Sequence, residues 1–321
     1  MHKKVKKVLY NFSLVKYNAD INQTHPVHRE RKEMKIMKKL IAMLLVLAMA
    51  MSLIACGTAT AGNETPSTEA GTNASDETGE ATGQSEAEAS DLQYVQNNGK
   101  LVVGITEYEP MDYKDENGEW TGFDAELARL FAEELGVECE FFVLADWGKK
   151  FLELETKSVD AVWNGMTITE EALSNASVSD AYVVNAQVVV MKADKVADYA
   201  DVESMKDLVF AVEEGSAGQS VAEESGLKTV SKQDQAAALM EVSAGAADAC
   251  VIDITMAKAM TGEGTDYAEL AAGISLSSEE YGVAFRQESD LTQALNTFLD
   301  ELKADGTLDQ LAEKYQLTLA D

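Results

Sequence analysis

"GFDAELARLFAEELG", residues 122 to 136, is the stretch on which the fold turns. Leu127, Leu130, Phe131 and Leu135 recur at helical spacing along one stripe, Asp124 stands where an N-cap belongs, and Gly136 stops the run. A helix over Asp124 to Leu135 with one face to bury is the expectation. Strand-like runs flank it, "LVVGI" from Leu101 and "CEFFVL" from Cys139. A further helix leaves Trp147, and "DAVWNGMTIT", residues 160 to 169, closes the series with another strand end. This is the βαβα order of a largely parallel sheet covered by helices.

The same order repeats downstream. After the β-branched run "YVVNAQVVVM" come "LVFAV", a helix after Gly218, "LKTV", a helix around Ala236 to Val242, and "ACVID". Two similar α/β lobes follow, with Val183 to Met191 and Tyr281 to Phe285 as the crossing segments of a hinge. Lobe 1 is assigned residues 91–187 and 281–321, lobe 2 residues 188–280. The chain closes on helices over Leu291 to Ala304 and Leu308 to Tyr315, separated by Gly306. Ligands of such sheets bind outside the carboxyl ends of the strands. "WNGMTIT" and "EEGSAGQS", residues 213 to 220, both follow strands there.

Upstream the composition changes character. The first 36 residues hold nine of the 26 Lys and Arg and all three histidines, His2, His25 and His28. Met37 then opens a basic "MKKL", and Leu40 to Ala55 is apolar but for Ser52. Its 16 residues fall short of the ~20 that span a bilayer, so 37–55 reads as a secretory signal, translation starting at Met37 or Met34 and leaving 1–36 untranslated. Residues 57–90 contain no aromatic and no large aliphatic side chain. With Cys56 they form a flexible acidic tether, because such a composition cannot bury enough apolar surface to fold.

The whole chain has a net charge of −30; without residues 1 to 55 it keeps 15 basic against 53 acidic groups. That sign excludes nucleic acid as a partner. Cys139 and Cys250 each sit in an apolar stretch and read as independent core thiols, with a disulfide as the alternative in an exported protein. No cofactor motif and no metal-ligand spacing occurs.

Leu53, Ile54, Ala55 and Cys56 resemble the lipobox of bacterial lipoproteins, which implies a diacylglycerol on Cys56 and attachment at the outer face of the cytoplasmic membrane. Two acyl chains anchor stably where one is marginal. The segments "LVVGITEYEPMDYKDENGEWTGFD", "DAVWNGMTIT", "SDAYVVNAQVVV", "VEEGSAG", "ADACVID" and "YGVAF...LKADGTLDQLAEKY" resemble, in order, family 3 of the bacterial extracellular solute-binding proteins. The resemblance covers residues 98 to 317. It implies a two-lobed α/β fold of the type II periplasmic-binding-protein kind and a monomer that takes up a small amino-acid-like solute for the permease of an ABC importer.

Residue by residue, the resemblance implies Tyr108 and Trp147 as rings around the ligand's side chain, whereas Trp120 and Trp163 are assigned to packing. It implies that Asn164, Gly165 and Thr167 present side-chain and carbonyl oxygens that receive an α-ammonium and steady a carboxylate, with Asp253 as the ammonium's carboxylate partner. Ser216 with the amides of Ala217 and Gly218 stands at a helix start, which suits either a carboxylate seat or a plain N-cap.

The sequence also departs from the pattern. Three residues beyond the second Thr of "TIT", where most members carry an arginine that clamps the ligand carboxylate, this chain has Ala172. Lys149 or Lys150, just after Trp147, is positioned to substitute, and Lys150 is the candidate carried forward. Lysine binds less directionally than arginine. Glu107 and Glu213 fall near the cleft positions, and with the missing arginine they favour a cationic solute, a basic amino acid or a diamine. The rival readings are a sensor module and an enzyme like the cyclohexadienyl dehydratases. No histidine follows His28, so acid-base chemistry would fall to carboxylates.

Overall fold

A computed structural model describes residues 90–321. The readings made for the upstream start, the signal, Cys56 and the tether up to residue 89 lie outside these residues.

The helix of the opening stretch forms over Phe123–Leu135 and ends on Gly136 in the left-handed conformation. Its start differs from expectation. Gly122 is the N-cap, and Asp124 is fully buried with its carboxylate turned away from the helix end. That carboxylate accepts the Gly165 backbone N–H at 2.6 Å and the Tyr182 hydroxyl at 2.9 Å. A buried carboxylate needs strong donors, and these two outcompete a helix-end amide that water could also satisfy.

The first sheet runs in the order Glu138–Val143, Lys100–Ile105, Ala161–Val162, Ala284–Phe285 and Ser177–Val178. Its first two pairings are parallel, and Ala284–Phe285 joins antiparallel on return from the other lobe. The second runs Lys228–Lys232, Val209–Glu213, Ala249–Asp253, Gln187–Lys192 and Leu270–Ser275. It mixes parallel and antiparallel pairs likewise.

Between them lies a two-stranded antiparallel ribbon, Val183–Asn185 against Glu279–Tyr281. The crossings are thus shorter than the sequence suggested. The long run breaks at Ala186, and Gln187–Lys192 belongs to the second sheet. The returning crossing begins two residues earlier than expected, at Glu279. The tail braces the ribbon, with Val184 donating to the Thr318 carbonyl at 2.8 Å and Ala320 to that of Tyr182 at 3.2 Å.

Apolar side chains fill both lobes. In the first, Leu127, Phe131 and Trp163 pack with Leu295 and Phe298 of the helix Leu291–Ala304. Trp163 is fully buried, edge-on to Phe131, and Trp120 packs on Phe141, so both serve packing. Arg286 supplies the buried polar joint. Its Nε donates to Asp91 at 2.9 Å, Nη2 to Asp160 at 3.0 Å and Nη1 to the Val159 carbonyl at 2.8 Å. It thereby ties the helix Asp91–Asn98, N-capped by Ser90, to the first sheet.

Cys139 and Cys250 are free thiols in different sheets, and burial raises both pKa values, that of Cys139 to about 12. Among the described residues no helix is long and apolar enough to cross a membrane, and no three His, Cys, Asp or Glu are grouped to hold a metal ion.

Candidate functional site

Between the lobes lies a cleft of 420 Å³, inside the ~300–1,000 Å³ range of small-molecule sites. Tyr108, Trp147, Lys150, Asn164, Gly165 and Thr167 face it from the first lobe. Glu213, Ser216, Ala217, Gln235 and Asp253 face it from the second, and Glu279 from the hinge. A wider recess of 1140 Å³ lies on the other side of the hinge strands, around Lys114, Lys258 and Lys314. No buried polar atom lacking a partner lines it, whereas one does line the cleft.

At the floor, the Tyr108 hydroxyl meets those of Thr255 from the second lobe and Tyr281 from the hinge. Gly165 beside it has φ +54°, and a Cβ there would stand 2.6 Å from the Tyr108 ring, so only glycine lets the loop lie against the ring. The Gly165 N–H is consumed by Asp124.

Asn164 is likewise spent. Its Oδ1 accepts from the Thr106 amide and hydroxyl, and its Nδ2 donates to the Thr106 carbonyl and to Asp112 at 2.7 Å. An amide offers four hydrogen bonds at most. Its side chain therefore holds the loop, so an oxygen offered from this residue would be its backbone carbonyl. Beneath it Asp112 and Asp124 are both buried, and desolvation raises both pKa values, that of Asp124 to about 7.

Asp253, 3% exposed at its strand end, accepts from the side-chain amides of Asn185, Gln187 and Gln235, the Gln187 bond measuring 2.8 Å. Desolvation lifts its pKa to about 7, Glu279 pushes the same way, and the amides oppose. Asn185 and Gln187 each also donate to Glu279 Oε1 at 2.7 Å, which takes Thr167 Oγ1 as well at 2.8 Å. Glu213 is 4% exposed, and its Oε1 has no partner. Burial, with Asp253 and Asp234 behind it, raises its pKa well above the usual carboxylate value.

Lys150 is the cation of this cleft. Burial lowers its pKa. Its Nζ donates to the carbonyls of Trp147 and, across the gap, Gly215, both at 3.3 Å, with the rings of Trp147 and Phe151 under it at 4.9 and 4.8 Å. Lys149 instead points outward and pairs with Asp146 at 2.8 Å. Ala172 lines the cleft from the short helix Glu170–Asn175, 1% exposed.

Ser216 caps the helix Ala217–Glu224 by accepting the Gln219 N–H at 3.0 Å, so the cap bond is made while the residue still faces the cleft. Glu107 is not brought in. It is exposed and borders a separate hollow with Thr106 and Asp234, because it directly precedes Tyr108 and points off the opposite side of the chain.

The sequence reading missed Asn185, Gln187, Gln235, Thr255 and Glu279. A signal existed for two of them, since Asn185 and Gln187 are amides two apart, on one face of an otherwise apolar run. Gln235, Thr255 and Glu279 sit in unremarkable polar contexts, and tertiary placement alone brings them in.

Residues 101–318 match the model of the bacterial extracellular solute-binding proteins, family 3. The chain belongs to that family, whose members work with ABC transporters, and it has the type II periplasmic-binding-protein fold. It is 27% identical over 289 residues to the arginine-binding extracellular protein ArtP of Bacillus subtilis, covering 87% of this chain and 98% of ArtP. A mutant of ArgBP from T. maritima superposes with a TM-score of 0.65 at 34% identity over 70% of this chain and 98% of its own. The ancestral amino acid-binding protein AncCDT-1, a precursor of cyclohexadienyl dehydratase, gives 0.65 at 33% over 70% and 99%.

Proposed function

We propose that the chain captures a basic amino acid between its lobes and delivers it to the permease of an ABC importer. The observation that carries this is the charge of the cleft, which six acidic residues, Asp253, Glu213 and Glu279 among them, line together with one lysine. A solute with a net positive charge neutralises carboxylates that otherwise repel one another in a desolvated space. The α-ammonium sits on Asp253 and Thr167, and the carboxylate on Lys150 and the helix start at Ser216 and Ala217. Tyr108 and Trp147 flank the side chain, whose cation takes up Glu213.

Capture needs contacts from both lobes, otherwise closure gains nothing from the ligand. Asp253, Glu213 and Ser216 supply the second lobe's share. Anchoring through a lipidated Cys56, on a tether of 57–90, and action as a monomer complete the proposal.

Titration calorimetry of the folded domain against the twenty amino acids and ornithine tests the reading. Arginine, lysine or ornithine binding at least a hundredfold tighter than glutamine or glutamate supports it; preference for an acidic or apolar amino acid sinks it.

A second reading, an enzyme on this fold, draws on the high pKa of Glu213, which suits a general acid, and on the likeness to AncCDT-1. Turnover of prephenate or arogenate by the purified protein would establish it.

A further inference from the structure

Of the six acidic residues that line the cleft, Glu213, Asp253 and Glu279 form a row with neutral amides between them. Gln235 lies between Glu213 and Asp253, facing both. Asn185 and Gln187 lie between Asp253 and Glu279, each nitrogen donating to both. Asp253 and Glu279, which share these two donors, are therefore less than two hydrogen-bond lengths apart, under about 6 Å, and Gln235 sets Glu213 next along. No arginine or histidine enters the row. Its one cationic neighbour is Lys150, already bonded to two carbonyls.

Glu213 supplies an observation independent of the charges. It is 4% exposed, it lines the cleft, and its Oε1 has no hydrogen-bond partner. A buried carboxylate oxygen left without a donor costs its desolvation, and a cation entering the cleft would supply that donor.

The carboxylate end of an amino acid finds less. Ala172 contributes a methyl group, Lys150 can spare one N–H while standing in the field of Glu171 and Glu213, and the helix start at Ser216 and Ala217 offers uncharged donors. We infer that the cleft recognises a pair of cationic groups more strongly than it does the α-carboxylate, so that linear aliphatic diamines and guanidino-amines are ligands in their own right. A three- or four-carbon spacer sets two ammonium centres about 5 to 6 Å apart from ordinary bond lengths. That is the scale of the row. One ammonium meets Asp253 and Glu279 from the cleft side, and the other gives Glu213 Oε1 its missing donor.

This rests on the proposed reading that the cleft is the solute site, and matched pairs separate the two ideas. Lysine and cadaverine, ornithine and putrescine, and arginine and agmatine are titrated calorimetrically into the same protein, with spermidine added. For the pair whose amino acid binds tightest, an amine affinity within tenfold of the amino acid, or better, is the expected result. An amine more than tenfold weaker overturns the inference and leaves amino-acid capture standing. No binding by any of the compounds overturns both.

Glu213→Gln should weaken the amine at least tenfold with an unchanged circular dichroism spectrum, and an unaltered amine affinity would remove Glu213 from the seat. Should that variant fold poorly, Ala172→Arg reads the same question from the other side. It should shift the amine-to-amino-acid affinity ratio at least tenfold toward the amino acid, and no shift counts against the inference.

Discussion

Replacing Asp253 by asparagine removes one charge and almost no volume, and the outcome can be worked from the geometry. The carboxylate is buried and meets amides from three residues, so an incoming cation finds it held and desolvated. Breaking a buried ion pair by deleting one partner costs about 3–5 kcal/mol. With its pKa at about 7, the group is half-ionised at pH 7 in the empty protein, and that reduces the native advantage by a factor of two, about 0.4 kcal/mol. The net loss converts to roughly 10²- to 10³-fold in affinity for the preferred solute.

Stability should move the other way. A buried carboxylate beside Glu279 and Glu213 burdens the empty fold, so at pH 8 the Asp253→Asn protein should melt no lower than the parent. Calorimetric titration and thermal melting of the same preparations read both quantities. An affinity change below tenfold would refute the assignment of Asp253 to the solute, and a large fall in melting temperature would refute the account of its burden.

Three further outcomes follow from other parts of the structure. Asp253 and Asp124 both have folded pKa values near 7, above their unfolded values, so the stability they contribute is full below about pH 4 and is lost as pH rises towards 7, while affinity for a cationic solute rises over the same window; between pH 5 and 8 the melting temperature and the Kd should therefore both fall. Gly215 has φ +72°, and a Cβ there would lie 2.5 Å from Gly148 Cα of the facing lobe, so Gly215→Ala should weaken solute binding at least tenfold through poorer closure, and small-angle scattering should show a less compact ligand-bound form. Arg286→Met leaves Asp91 and Asp160 without their buried cation and should cost about 3–5 kcal/mol in a urea melt, a loss under 1 kcal/mol contradicting its role as a joint.

The element order was legible because helix and strand periods differ and the glycines fall at their ends, so the 122–136 helix and "ACVID" lie where the pattern placed them. The hinge was harder. In "YVVNAQVVVM" a ribbon strand and a sheet strand share one β-branched composition, and a single Asn185, with no Gly or Pro, precedes the bend at Ala186. In the site, Tyr108, Trp147, Gly165, Thr167, Glu213, Ser216 and Asp253 all reach the cleft, and of the two lysines the sequence offered Lys150 lines it while Lys149 pairs with Asp146. Asn164 reaches it too, yet its function as a brace depends on Thr106 and Asp112, more than 50 positions away. Glu107 and Glu213 looked alike as letters after strands, and the direction of a single side chain sets one in the cleft and the other outside it.

The Arg286 joint bears on how the molecule handles force. The helix Asp91–Asn98 is the first described element, and Arg286 fastens it to the sheet that carries Tyr108 and Thr167, with Leu92 adding a bond to Asp290 at 2.9 Å. Whatever holds the chain ahead of Ser90 therefore holds the first lobe as a stator. The second lobe is attached through the ribbon Val183–Asn185 and Glu279–Tyr281, so in the proposed capture it is the part left to turn.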